Sequence, residues 1–436
     1  MRHCIAFIAF FFGSHSVSSA GLKEYVQKED KSFSWKLKEK KETPQGAMYT
    51  IDLVSQTWHD IKWEHSLVVY LPKDCKPTET MFLWNTGGKP SLITNLLALD
   101  IAGRIKAPLA FLYDIPNQPL FGGKKEDALI AETFVRYLET KDESWPLLFP
   151  MVKSVIKAMD AIQAFAKEEW KFEVKSFVVS GASKRGWTSW LTGATGDPRV
   201  KAIAPLVIDT LNMQKQTGHQ LKSYGEYSKM IHDYVERKLV PLPDTAEARK
   251  LWMMVDPWMY RDTLKMPKMI INGANDPYWT LDALNIYWDD LKGDKWILYV
   301  PNAGHGLEQV YEGGKKDRNR SLSTLSAFAW HEITNTPMPK LQWKYEGGAE
   351  TIRLEVTSDP APKAARLWVA DSATLDFRQS TWKELEAKLD KGLVLGEISR
   401  PKTGYRAMFG ECEYQTSGMR YFLSTQIKIT SMSKNP

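Results

Sequence analysis

The run Phe177-Val178-Val179-Ser180 is apolar and of strand length, breaks into Gly181-Ala182-Ser183, and reads on from Lys184-Arg185-Gly186-Trp187 as a helix. A strand that becomes a helix within three small residues places a serine at a tight turn. There its Oγ stands clear of the backbone, and the first N–H groups of the new helix face any negative charge that forms beside it. Gly181 and Ala182 make such a turn sterically accessible. The common G-x-S-x-G pattern has a small residue two after the serine; here Arg185 takes that place and the glycine comes one later, at Gly186.

Two downstream segments narrow the reading. Lys268-Met269-Ile270-Ile271-Asn272-Gly273 predicts a short strand running into Ala274-Asn275-Asp276-Pro277, and Trp296-Ile297-Leu298-Tyr299-Val300 predicts another running into Pro301-Asn302-Ala303-Gly304-His305-Gly306. A helix-like stretch, 281–291, separates them. Ser183, Asp276 and His305 therefore come after three strands in the chain order Ser, Asp, His, which is the α/β-hydrolase order. A serine hydroxyl needs a base to attack, and a base needs an orienter: His305 and Asp276 fit those two roles. Asp209, which also comes after a predicted strand (200–208), and Asp282 are alternatives for the acid. The N–H of Lys184 is the expected first oxyanion donor, and the glycine-rich turn Asn85-Thr86-Gly87-Gly88 the expected source of the second. Arg185 reads either as a salt-bridged residue of the first helical turn or as a contact for a substrate anion and support for the elbow.

The rest of the chain fits an α/β class with a mostly parallel sheet. Strand-length runs at 67–71, 81–84 and 107–113 alternate with helix-like stretches at 126–138 and 151–166. In the second of these helices Met151, Val155, Met159, Ile162 and Phe165 recur at helical spacing. The alternation lapses over 210–263, a long aromatic and polar interval expected to form a lid. After Thr336-Pro337-Met338-Pro339, apolar and polar residues alternate, as at Ile352, Leu354 and Val356, which predicts a small β-sandwich over 336–436, interrupted by a helical stretch at 382–389. The hydrolase unit is expected over 21–335.

Residues 1–20, with Arg2, an apolar centre at 5–12 and the small-residue tail Ser16-Val17-Ser18-Ser19-Ala20, predict a secretory signal cut after Ala20, hence a secreted or periplasmic protein without stable membrane insertion. Cys75 and Cys412 then remain, either as one disulfide or as two free thiols. The net charge of +6 is dispersed among 436 residues and argues against nucleic acid as a partner. No P-loop, dinucleotide fingerprint or H-E-x-x-H helix occurs, so the expected chemistry needs no metal and no organic cofactor. The expected substrate is a small molecule, a glycan or a peptide.

Four runs together, Gly181-Ala182-Ser183-Lys184-Arg185-Gly186-Trp187, Asp256-Pro257-Trp258-Met259-Tyr260-Arg261, Asn272-Gly273-Ala274-Asn275-Asp276 and Pro301-Asn302-Ala303-Gly304-His305-Gly306, resemble the PhoPQ-activated pathogenicity-related protein family. The resemblance implies a secreted or periplasmic α/β-hydrolase fold with a C-terminal β-domain, and leaves both an active hydrolase and a signalling or binding protein open. The elbow is also similar to the G-x-S-R-x-G of glucuronoyl and acetyl-xylan esterases, with the basic residues shifted by one.

Overall fold

A computed structural model describes residues 21–432; the expected signal segment, residues 1–20 with Cys4, lies outside the described residues. The central sheet runs, in spatial order, Ser34–Thr43, Gly46–Trp58, Ile61–Pro72, Leu109–Leu112, Thr80–Asn85, Ser176–Ala182, Val200–Leu206, Lys268–Gly273 and Lys295–Val300. The first three are antiparallel, and the six from Leu109–Leu112 onward are parallel. This order and these directions are those of the α/β-hydrolase fold.

The strands are apolar on both faces because each face meets a helical layer. Alternate residues enter different cores: Phe177 and Val179 join Leu148–Phe165 and Lys184–Ala194 on one side, whereas Val178 joins Leu92–Ile105 and Asn319–Thr334 on the other. The parallel strands end at one edge, where Ser183, Asp276 and His305 lie just beyond them.

Two expectations are corrected below, and the segment 210–263 folds into helices Met213–Tyr224, His232–Glu236 and Ala246–Val255 with short three-ten turns. These helices are too short to give a clear periodic signal, and their polar faces mask it. The expected helix 281–291 is instead two three-ten turns, Ala283–Ile286 and Trp288–Asp290. Residues 382–389, expected as helix, give strands Lys383–Glu386 and Lys388–Asp390, whose backbone groups pair with Ala364–Ser372 and Leu393–Ser399. Sheet pairing outweighs the helical propensity of Lys, Glu and Leu there.

Beyond the Pro337-Pro339 turn, two sheets face each other. Lys340–Gly347, Thr351–Asp359, Leu393–Ser399 and Lys388–Asp390 form one. The other, containing Ala364–Ser372 and Tyr405–Thr416, continues through Met419–Ser424 into the hydrolase sheet, where Ser424 pairs with Ile297. The facing layers touch closely, for a Cβ on Gly410 would lie 2.6 Å from Leu354 Cδ2. The sandwich-like region is thus one sheet with the hydrolase on one of its sides, with no break in the sheet at residue 336. Cys75 and Cys412 are free thiols, the second buried. Among the described residues no helix is long and apolar enough to cross a membrane.

A buried charge cluster ties the two regions. Glu411 on Tyr405–Thr416, with a fully buried carboxylate, accepts hydrogen bonds from Arg320 Nη1 at 2.6 Å and from Arg366 Nη1 at 3.0 Å. Arg320 belongs to the helix Asn319–Thr334, and its Nε donates to Gln309 Oε1 at 2.7 Å. Removing the shared acceptor charge leaves the Arg320 guanidinium without a carboxylate partner, while Arg366 keeps Glu413 Oε2 at 2.6 Å. Glu411→Gln is expected to lower the unfolding free energy by about 3–5 kcal/mol, read as a shift of the urea midpoint.

Candidate active site

Ser183 lies between the strand Ser176–Ala182 and the helix Lys184–Ala194 with φ 57° and ψ −123°. A positive φ is unfavourable for an L-residue, so neighbours must hold it. Its N–H donates to Leu206 O at 2.9 Å on the adjacent strand. Two glycines allow the turn to close: a Cβ on Gly181 would lie 2.7 Å from Arg185 O, and one on Gly186 would lie 2.8 Å from Leu206 O. The delayed glycine at Gly186 therefore meets a steric need at its own position. The Asn85 amide fastens the turn further, donating to Ser180 O at 2.8 Å and Ser189 Oγ at 3.1 Å.

Ser183 Oγ is 2.9 Å from His305 Nε2, and His305 Nδ1 is 2.8 Å from Asp276 Oδ2. A carboxylate only accepts, so the Nδ1 position carries the ring proton; the neutral ring then presents its Nε2 lone pair to the serine O–H. Asp276 is buried, and its Oδ1 accepts from Tyr278 N–H at 2.9 Å. The Tyr278 ring lies against the imidazole, with centroids 4.3 Å apart. The alternatives for the acid have other partners: Asp282 Oδ1 is 2.6 Å from His219 Nε2, and Asp209 Oδ1 accepts from Tyr287 Oη at 2.5 Å.

Of the two readings of Arg185, the structure shows the salt-bridged one. Its Nη1 and Nη2 donate to the two oxygens of Glu126 at 2.6 and 2.9 Å, and its Nε donates to Ile115 O at 2.5 Å. The planar fork is filled by a carboxylate of the same chain, as bidentate geometry favours. Burial alone would raise the Glu126 carboxyl, but the hydrogen bonds and charge of Arg185 outweigh it and hold the group at about 2. Gly87 rests on this guanidinium: a Cβ there would fall 1.8 Å from Arg185 Nη2. The turn bearing Gly87 and Gly88 is thereby held against the elbow, and Gly88 O accepts from Asp114 N–H at 3.0 Å. The N–H of Lys184 is the first of its helix and has no intrahelical acceptor. Its side chain pairs with Asp127 Oδ2 at 2.5 Å. Burial alone would lower the Lys184 pKa, but the Asp127 charge outweighs it and raises the value.

A cleft beside the elbow has Ser183, Lys184 and Asp127 among its lining residues. Met213, Ile231, Tyr234 and Trp252 from the segment 210–263 form much of its wall, with Trp187, Tyr278 and Trp279. Asp256 anchors that segment by accepting from the N–H groups of Asn212, Met213 and Trp258 at 3.1, 2.8 and 2.9 Å. Behind the site, Asn275 Nδ2 donates to Ser380 O at 2.7 Å, and Asn302 exchanges bonds of 2.9 and 2.7 Å with the Trp382 backbone. Sequence reasoning missed Glu126, Asp127, Tyr278 and the two asparagine contacts. Glu126 and Asp127 carried only the signal of an acidic first helical turn, and their partners lie far along the chain.

A sequence model of the family described as PhoPQ-activated pathogenicity-related protein matches residues 22–378. The chain is 31% identical over 441 residues to Autocrine proliferation repressor protein A of Dictyostelium discoideum, covering 92% of this chain and 87% of that one. Among solved structures, Acetyl Xylan Esterase 1 from Thermoanaerobacterium sp. JW/SL YS485 aligns with a TM-score of 0.47 and 15% identity, covering 65% of this chain and 86% of that one. The Glucuronoyl Esterase from Solibacter usitatus aligns with a TM-score of 0.45 and 10% identity, covering 70% and 87%.

Asp209 lies in this neighbourhood, and burial pushes its carboxyl from 3.8 up to about 7. Between those values the folded chain keeps a proton that the unfolded chain has released, so rising pH favours unfolding. The contribution is fully present below pH 3.8, is lost as pH rises towards 7, and is constant above. Asp209→Asn is expected to remove about 4 kcal/mol of pH-dependent stability loss across that window, measured as the difference between wild-type and variant urea midpoints at pH 4 and pH 7.5.

Proposed function

The chain belongs to the PhoPQ-activated pathogenicity-related protein family, and from that membership and the geometry of its sheet edge we propose that it is a secreted serine hydrolase cleaving an ester or amide through an acyl-enzyme. The observation that carries this reading is the unbroken hydrogen-bond chain from Ser183 Oγ through His305 to Asp276, at 2.9 and 2.8 Å, with the serine on a tight turn at the end of an apolar cleft.

As Ser183 Oγ bonds to the acyl carbon, its proton passes to His305 Nε2, and Asp276 stabilises the imidazolium. The Lys184 N–H, with the turn at Gly87 and Gly88 beside it, receives the charge that develops on the carbonyl oxygen. Collapse breaks the bond to the leaving alcohol or amine, which takes the proton from His305. Water then repeats the sequence on the acyl-enzyme and releases the carboxylic acid. The segment 210–263 acts as the lid over this cleft.

A second reading comes from a relative whose name describes repression of proliferation: a secreted signalling protein that keeps the fold without turnover. The two readings part at Ser183. A fluorophosphonate probe is expected to label the wild type and not Ser183→Ala, and Asp276→Asn is expected to lower kcat by about ten-thousandfold with the protein still folded. Labelling that persists in Ser183→Ala rejects this serine as nucleophile. An unlabelled wild type whose biological activity is unchanged in Ser183→Ala supports the signalling reading.

A further inference from the structure

The wall of the cleft carries several polar residues, but most are already bonded to the protein. Gln216 Nε2 donates to Leu211 O at 3.1 Å and Ala283 O at 3.0 Å. Gln220 donates to Tyr278 O at 2.9 Å and accepts from Ser228 N–H at 2.8 Å. Tyr234 Oη donates to Asp127 Oδ1 at 3.1 Å, and Trp187 Nε1 donates to Val255 O at 2.6 Å. What these residues offer an incoming group is mainly their carbon surface. Between them stand Met213, Ile231, Val240, Leu242 and Trp252.

A sugar ring entering this space gives up hydrogen bonds to water, and against its several hydroxyls the wall leaves Trp252 Nε1, Trp279 Nε1 and Thr280 Oγ1 unbonded but buried away from solvent, which opposes binding. An alkyl or aryl chain loses nothing on leaving water and gains contact with the wall. Charge is confined to one end, where Lys184 pairs with Asp127 next to Ser183. That end suits the polar ester or amide group, and the remainder suits a chain without polar atoms.

Resting on the hydrolase reading, we propose that the cleft takes a medium-length alkyl or an aromatic acyl group, so that the substrates are esters or amides of apolar carboxylic acids and not acetylated glycans. Each buried methylene then favours the reaction about fourfold. The acyl chain transferred to Ser183 Oγ lies along the wall formed by Met213, Val240 and Leu242, and the leaving group departs through the mouth.

Two measurements on the mature full-length chain test this. First, kcat/KM is compared for p-nitrophenyl acetate, butyrate and hexanoate, which share one leaving group. The expected result is a rise of about 250-fold from acetate to hexanoate, and a loss of most of that gradient in Leu242→Asp, with folding followed by thermal melting. A flat or reversed gradient in protein whose Ser183 is labelled by a fluorophosphonate overturns the inference and leaves the hydrolase reading standing. Second, Ser183→Ala, which needs no turnover, is titrated calorimetrically with hexanoate and with xylobiose. Hexanoate is expected to bind with a negative heat-capacity change, and xylobiose not to bind. Binding of xylobiose in place of hexanoate overturns the inference. An absent Ser183 label in the wild type counts against the hydrolase reading, while the calorimetry still decides what the cleft accepts.

Discussion

The backbone of Ser183 is the constraint on which the site rests. Its φ of 57° is uphill by about 1–3 kcal/mol for a residue with a side chain, and everything packed around the turn works to keep it there. Leu206 accepts its N–H, Gly181 and Gly186 leave room for the crossing backbones, and Asn85 bonds to both the strand and the helix that meet at the turn. Relaxation to a negative φ would break these contacts together. The strain therefore persists, and it aims the hydroxyl at His305.

Below the elbow two ion pairs act in concert. Arg185 with Glu126 and Lys184 with Asp127 connect the first turn of the helix Lys184–Ala194 to the first turn of Glu126–Thr140. The acidic residues stand at a helix N-terminus, where the macrodipole also favours negative charge. The geometry gives adjacent basic residues different tasks: Arg185 supports the turn bearing Gly87, and Lys184 stands at the cleft.

Much of this was legible in the chain. The parallel strands are runs such as Met269-Ile270-Ile271, apolar on both faces, and they reveal themselves without periodicity. The loops after them carry Asp276 and His305, so the chain order alone suggested which groups converge. What stayed hidden depends on partners distant in sequence. Nothing local distinguishes an Arg185 that pairs with Glu126 from one that awaits an anion, because the deciding carboxylate lies 59 residues away. The helices of 210–263 escaped because short amphipathic pieces owe their form to what they cover. The strand at Lys383–Glu386 escaped because its hydrogen bonds belong to a neighbour.

The sheet passes unbroken from Lys295–Val300 into Met419–Ser424, and this continuity constrains how such a chain can evolve. Two modules joined by a flexible tether can be exchanged between genes, whereas here the tail supplies a strand edge, the acceptor for Arg320, and the backbone that grips Asn275 and Asn302. Recombination at the proline turn would leave an open sheet margin and loosen the loops that carry Asp276 and His305. Head and tail thus share one sheet and one set of buried contacts.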